Sequence, residues 1–391
     1  MPTILKIGRK TPRAILLCPG PVLLSKAVQR AVVSTNIGHR ESEFSSILSE
    51  SAEMLKPIAG IDSSYEVAFI TGSGTAANET IISSIGKLGP VLVISNGEFG
   101  ERLLAVAKLH NKDIDELKFD WQEKIDLKTV AKALKSKRYH MVAVVHHETS
   151  SGMLNPVAEI TKLAHKYGAI VSVDAISSIG AEKIRAKEWG VDIIVGASGK
   201  ALSAMPGAGI LIIKSDLVNT LSEPSSTGHY LDLYKHFLYM RNHIQTPNTP
   251  AVHVFVSLHA SLKEITEQGI GSFQKTIRQR ASYTRTEINR MGLSYASYGG
   301  NSSSVITCVA MPEHLSFGYL AERLKEKGII VYSGKGVLKD KIFQIGHIGA
   351  LRKNDTSYAL RQLEKILQES VLEKMHIPRK LDQHEEIVHA V

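Results

Sequence analysis

The sequence predicts an α/β fold: a large domain on a mostly parallel sheet, then a smaller C-terminal α+β domain. Three observations carry this. Six short Val/Ile-rich runs fall between residues 66 and 214, amphipathic stretches lie between them, and the pattern changes after about residue 215. The length, 391 residues, suits two domains better than one core.

The runs are EVAFITG (66–72), VLVISNG (91–97), MVAVVHHE (141–148), AIVSVDA (169–175), VDIIVGA (191–197) and AGILIIK (208–214). None alternates strictly, as expected of strands buried on both faces. A stretch such as TKLAHKYG (161–168) reads as an amphipathic helix, and its closing glycine suits a helix stop. Strand, helix, strand repeated in this way predicts a parallel sheet covered by helices. In such sheets ligands bind beyond the carboxyl ends of the strands, so the polar residues just after each run are the candidates for chemistry.

Beyond 215, SEPSSTGHYLDLY and MRNHIQTPNTP are irregular and proline-bearing. One long helical stretch with few breakers follows, from His253 to Gly292. VITCVAM, LAERLKEKGIIVYSG and IFQIGHIG then read as strand, helix, strand and strand, and SYALRQLEKILQESVLEKM as a final helix. The polar end, residues 376–391, reads as peripheral. The predicted division is an N-terminal arm over 1–20, a large domain over 21–265 and a small domain over 266–391.

Composition narrows the function classes. With 43% hydrophobic and 22% charged residues the chain has an ordinary globular balance. No apolar run nears the roughly 18 residues of a membrane span, and the N-terminus lacks a signal-peptide pattern. The two cysteines, Cys18 and Cys308, rule out a disulfide framework or a cysteine zinc cluster and fit a cytoplasmic protein. The net charge of +9 comes from scattered lysines without a dense basic block, so a nucleic-acid partner is not supported. Sixteen histidines carry no HExxH spacing, and the adjacent His146 and His147 point to opposite faces of a strand, so no metal is expected.

Three features carry chemistry. In FITGSGTAANETIISS (69–84) a strand ends in the turn Gly72-Ser73-Gly74-Thr75 before a helix. Helix N-terminal N–H groups beside two hydroxyls can cradle a phosphate, or can simply cap the helix. In AIVSVDAISSIG, Asp174 ends a strand, where a buried carboxylate needs a cation or a donor. It can face a protonated ring nitrogen or cap the following turn. In VDIIVGASGKALSAMPGAGILI, Lys200 sits among glycines and alanines that offer a snorkelling lysine no apolar surface. A desolvated amine there is a nucleophile able to form a Schiff base. Together these are the parts that bind and use pyridoxal 5′-phosphate.

The chain resembles the fold-type-I, class V PLP-dependent aminotransferases, most closely their 2-aminoethylphosphonate–pyruvate branch and more distantly the alanine–glyoxylate enzymes. The landmarks run in order from LLCPGP (16–21) through GSGTAANE, SNGEFG, HHETSSGMLNP, VDAISSIG, SGKAL, LDLY, QTPNTP and YSGK to IGHIGAL (345–351). The resemblance implies a phosphate loop at Ser73, Gly74 and Thr75, with Phe99 stacked on the cofactor ring. It implies Thr149 near the ring oxygen, Asp174 on the ring nitrogen, Ser198 on the phosphate and Lys200 as the Schiff-base lysine. Thr246 matches a threonine that reaches the neighbouring subunit's phosphate, which implies a homodimer with shared active sites.

One departure concerns the substrate. Gln344 stands where the family usually has an arginine for the substrate carboxylate. A neutral amide has neither the charge nor the fork. Either another cation, Arg40, Arg352 or Lys335, takes that part, or the substrate lacks an ordinary α-carboxylate. In GHRESEF (38–44), Arg40 can reach the substrate mouth or pair with Glu43. The expected activity is amino transfer from a small amine, 2-aminoethylphosphonate-like or an amino acid, to an oxo acid. Alternatives are a PLP-dependent lyase, aldolase or decarboxylase, and a non-catalytic protein of the same fold.

Overall fold

The computed structural model describes residues 14–226 and 228–376. The first part of the expected N-terminal arm and residues 377–391 of the expected peripheral tail lie outside the described residues.

The central sheet has seven strands, in the order Tyr65–Thr71, Ala208–Lys214, Ile193–Ala197, Ile170–Asp174, Met141–Val145, Val91–Ser95 and Ile114–Lys118. Only Ala208–Lys214 runs antiparallel to its neighbours. All six runs read from the sequence are strands of this sheet: AGILIIK matches in full, the first is shifted by one residue to Tyr65–Thr71, and the other four are trimmed at their ends. The seventh, Ile114–Lys118 (IDELK), lies at the edge and is only partly buried. An edge strand has no second neighbour to demand a Val/Ile run, and its polar sequence hides it.

Alternate side chains of the strands feed two cores. Leu92, Val142, Val171, Ile194 and Ile210 pack against helices including Ser42–Ala59, Val157–Lys166 and Val252–Gln268. Val93, Ala143, Ile193 and Leu211 face the other side, against Gly74–Ser84, Glu98–His110 and Leu233–His243. Phe255 locks the first core, meeting Phe44 and Phe69 edge-on at 5.9 Å each.

The long helical stretch is two helices, Val252–Gln268 and Ile270–Arg290, divided at Gly269, whose φ of +79° no helix continues through. The second leads into a three-stranded antiparallel sheet, Ile306–Ala310, Ile342–Gly346 and Tyr332–Ser333, covered by Phe317–Glu326 and Asp355–His376. Ile15–Leu16 pairs in parallel with Ile329–Ile330, so the N-terminal segment is bound to the small domain before it crosses to the large one. The buried Glu182 carboxylate accepts from Ser303 Oγ (2.8 Å) and Ser304 N (2.6 Å), tying the two domains together. Among the described residues no helix is long and apolar enough to cross a membrane.

Candidate active site

Ser73–Thr75, Phe99, Thr149, Asp174 and Lys200 stand at or just after the carboxyl ends of five strands of the sheet. Ser73, Gly74, Thr75, Phe99, Thr149, Asp174 and Lys200 line one cavity of about 240 Å³, together with Asn78, Arg102, His147, Ser177 and Lys335 among others. Ser73 is the N-cap of the Gly74–Ser84 helix but makes no side-chain cap bond. Its hydroxyl and the first helical N–H groups are therefore available to an anion.

Asp174 is 7% exposed and ends its strand inside this cavity. Its Oδ2 accepts from Asn78 Nδ2 at 2.7 Å and its Oδ1 from Ile176 N at 2.9 Å. Burial pushes its pKa up, and those two donors work against the rise. Such a carboxylate is aimed at a further cation or N–H.

Lys200 enters from the loop after Ile193–Ala197. Its side chain runs past Gly20, where a Cβ would stand 2.6 Å from Lys200 Cδ and 2.8 Å from Nζ. Gly20 has φ +130°, so glycine is required there by conformation as well as by space. Burial, foremost, and then the Lys335 charge hold the Lys200 amine below the ordinary lysine range. The neutral, nucleophilic form is thereby brought closer to neutral pH.

Phe99 lies in the first turn of Glu98–His110, and that turn is held by a buried carboxylate. Glu148 accepts from Gly100 N (2.7 Å), Phe99 N (3.3 Å) and Ser150 Oγ (2.9 Å), while Ser150 Oγ accepts from Glu98 N (3.2 Å). Despite these donors, burial pushes the Glu148 pKa up to about 7. Two cations sit over the Phe99 ring: Arg102 Cζ at 4.7 Å and Lys335 Nζ at 4.9 Å from its centroid.

Ser198, Gln344, Arg40, Thr246 and Arg352, all named from the sequence, lie off the lining. Ser198 donates its hydroxyl to Met205 O (2.6 Å) and accepts from Ala208 N (3.1 Å), bracing the loop that carries Lys200. Gln344 is 1% exposed and donates to Thr149 O at 2.6 Å, with Cys308 Sγ at 3.8 Å. Arg40 meets neither Glu43 nor this cavity; it donates to Gln245 Oε1 (2.7 Å) and Thr246 O (3.1 Å), and Gln245 Nε2 donates back to Arg40 O. Thr246 is 4% exposed and donates to Asn248 O at 2.8 Å.

Other lining residues escaped the sequence reading, although some had signals. Asn78 is one helical turn beyond Gly74, and Arg102 is three residues beyond Phe99, spacings that share a helix face. Of the histidine pair, His146 turns to Ser178 and Trp189, while His147 turns to Ser177 and the cavity. His147 Nε2 is buried without a hydrogen-bond partner among the described residues, and burial keeps the ring neutral with its pKa down at about 3.

An anion cradle at a helix N-terminus, a buried carboxylate, a desolvated amine, an aromatic face and an orphaned ring nitrogen surround one cavity. These residues fit pyridoxal 5′-phosphate. Comparison with known proteins agrees. Residues 24–352 match the family described as aminotransferase class-V. An uncharacterized aminotransferase of Methanocaldococcus jannaschii is 32% identical over 91% of this chain and 93% of its own. The 2-aminoethylphosphonate–pyruvate transaminase of Pseudomonas aeruginosa is 30% identical over 91% of this chain and 96% of its own. Among solved structures, the alanine–glyoxylate aminotransferase of Nostoc superposes with a TM-score of 0.87 at 26% identity, covering 92% of this chain and 97% of that one. The chain belongs to the class V aminotransferases and is a pyridoxal 5′-phosphate-dependent enzyme of amino-group transfer.

Proposed function

We propose that the enzyme moves an amino group from a small primary amine, 2-aminoethylphosphonate-like or an amino acid, to an oxo acid, with Lys200 and Asp174 as the catalytic pair. The observation that carries this reading is that the depressed amine of Lys200 and the buried carboxylate of Asp174 face one cavity, between the Phe99 ring and the start of the Gly74–Ser84 helix. Pyridoxal phosphate, when bound, supplies an electrophilic carbon for the amine and a ring that accepts negative charge.

The protein's own part is binding, orientation and proton movement. Ser73, Gly74 and Thr75 hold the phosphate through backbone N–H groups and hydroxyls. Asp174, steadied by Asn78 and the Ile176 N–H, keeps a ring N–H charged. Phe99 and Thr149, which line the same cavity, would by resemblance cover the ring and stand near its oxygen. Ser198, a phosphate contact by resemblance, supports the Lys200 loop through its bonds to Met205 and Ala208. Lys200 Nζ would accept a proton from the substrate carbon as a general base and give it up again as an acid.

Thr246 acts in trans in this reading, so the working unit is a homodimer, and Arg40 serves it by holding the Gln245–Thr246 loop. The cytoplasm is the compartment we assign, supported by two cysteines that are both free and buried.

An absorbance scan of the purified, PLP-loaded protein during addition of single amines tests the function. The donor shifts the cofactor band permanently without an oxo acid, and adding the acceptor restores it. A band that returns by itself while product accumulates would replace transfer by lyase chemistry. Failure to take up PLP would remove the reading, as would undiminished turnover in Lys200→Ala.

A further inference from the structure

We propose that Lys335 receives the acidic group of the substrate, carboxylate or phosphonate, in place of residue 344; this rests on the aminotransferase reading above. Of the three cations set against the missing arginine, Arg40 is bound to the Gln245–Thr246 loop and Arg352 lies off the cavity. Lys335 lines the cavity with Lys200 and Asp174. Gln344 cannot share the task as it stands, because its amide donates to Thr149 O.

The position of Lys335 is built into the chain. It stands between Gly334 and Gly336 in the loop joining Tyr332–Ser333 to Ile342–Gly346. A Cβ at Gly334 would strike the Leu338 carbonyl, and one at Gly336, whose φ is +46°, would strike the Trp121 ring. Gly334 N donates to Ile342 O at 2.9 Å, and Leu338 N to Lys335 O at 2.8 Å. The backbone is fixed on both sides, and the side chain lies over Phe99 with its ammonium 4.9 Å from the ring centroid.

The ammonium there has no direct ion-pair partner among the described residues, although the Glu98 and Glu148 charges favour it from farther off. Its neighbour Arg102, by contrast, has Glu98 at 3.4 Å. Burial and the Arg102 charge both disfavour the Lys335 ammonium, and Lys335 in turn disfavours the charge on Lys200. An incoming anion would meet both Lys335 and Arg102, the two cations over the Phe99 ring. An ammonium is a point charge without a planar fork, so it accepts a tetrahedral phosphonate as readily as a flat carboxylate. The substrate class that follows is a small primary amine carrying one such acidic group.

The test uses the PLP-loaded protein and three amine-free probes: ethylphosphonate, propionate and neutral propionamide. Each is titrated while the bound cofactor's absorbance is followed, giving a Kd without turnover. We expect both anions to bind and propionamide not to, with the ratio of the two anion affinities naming the preferred acid. Lys335→Met should weaken both anions by about tenfold or more, the loss of a charge-assisted contact. Lys335→Arg should stay within about threefold of wild type.

Wild-type anion affinity in Lys335→Met overturns the proposal. So does a loss of PLP affinity in that variant with anion binding intact, which would assign Lys335 to the cofactor. In the wild-type protein, ethylphosphonate should also protect Lys335 from trinitrobenzenesulfonate, as read by peptide mapping; an unprotected Lys335 overturns the proposal even where the variant does not fold. A wild-type protein that takes up no PLP sinks the aminotransferase reading and this one with it. PLP uptake with anion affinity indifferent to position 335 sinks this one alone.

Discussion

Asn78 donates its side-chain amide to Asp174 Oδ2 at 2.7 Å, so the helix that begins at Gly74 also fixes the carboxylate at the end of the Ile170–Asp174 strand. The Ile176 N–H fixes the other oxygen. Both donors favour the charged carboxylate against the burial that pushes its pKa up. Asn78→Ala removes one of them, and a hydrogen bond to a charged group is worth about 1.5–3 kcal/mol. The expected result is PLP affinity lower by about tenfold or more and a reduced kcat, with Asn78→Asp worse because it adds a like charge. Fluorescence titration of the apoprotein with PLP checks this; unchanged affinity in Asn78→Ala would show that the backbone donor suffices.

A methyl group at position 20 should act on Lys200 directly. In Gly20→Ala the new Cβ meets Lys200 Cδ and Nζ inside contact distance, at a φ of +130° that alanine disfavours. The backbone strain should cost about 1–3 kcal/mol of stability. The lysine tip yields more easily than backbone does, so the larger effect is a displaced amine, and a displacement near 1 Å costs about a hundredfold in rate. Borohydride trapping of PLP on Lys200, read by peptide mass, should slow in parallel with kcat. Trapping and kcat at wild-type rates would mean that the amine has another way past residue 20.

Glu148 should give the fold a pH dependence of its own. Burial raises its pKa from the ordinary 4.5 to about 7. The folded state therefore binds more protons than the unfolded chain between those values. The stability this provides is complete below about 4.5 and is lost as pH rises through about 7. At about 1.4 kcal/mol per unit the change is at most about 3.5 kcal/mol. Glu148→Gln, neutral throughout, should lack it, so the wild-type advantage over Glu148→Gln should shrink between pH 5 and 8. Urea unfolding of both proteins across that range checks the sign; parallel curves would mean that Glu148 does not titrate there.

What the sequence made legible follows from where physical demand is local. Strands buried on both faces need Val and Ile in a row, so six of seven were readable, while the edge strand Ile114–Lys118 was free to be polar. Ser73, Phe99, Asp174 and Lys200 stood out because a parallel sheet presents its ligands at strand ends. The break at Gly269 was hidden because glycine alone does not distinguish a helix stop from a tolerated interior residue. The placement of Lys335 over Phe99, and of Gln344 against Thr149, joins segments far apart in the chain. Those contacts are set by how the small domain packs on the large one, and no local pattern encodes them.

Gln344 supplies the last prediction, one of stability without charge. It lies between Cys308 and Tyr332 in the small sheet, and its amide crosses to the Thr149 carbonyl of the large domain at 2.6 Å. Gln344→Leu keeps the volume but leaves that buried acceptor without its donor, which costs about 1–3 kcal/mol. The urea midpoint should fall accordingly. The Thr149 loop also lines the cofactor cavity, so PLP should dissociate faster even though residue 344 itself does not line it. Gln344→Glu is the sharper variant: a carboxylate cannot donate to a carbonyl, and the two acceptors would face each other in a buried site. It should be less stable than Gln344→Leu above the pH at which the new carboxyl ionises, and should recover as the carboxyl takes up a proton and can donate. If both variants unfold at the wild-type urea midpoint, the bond between Gln344 and Thr149 is not what holds the two domains in register at this point.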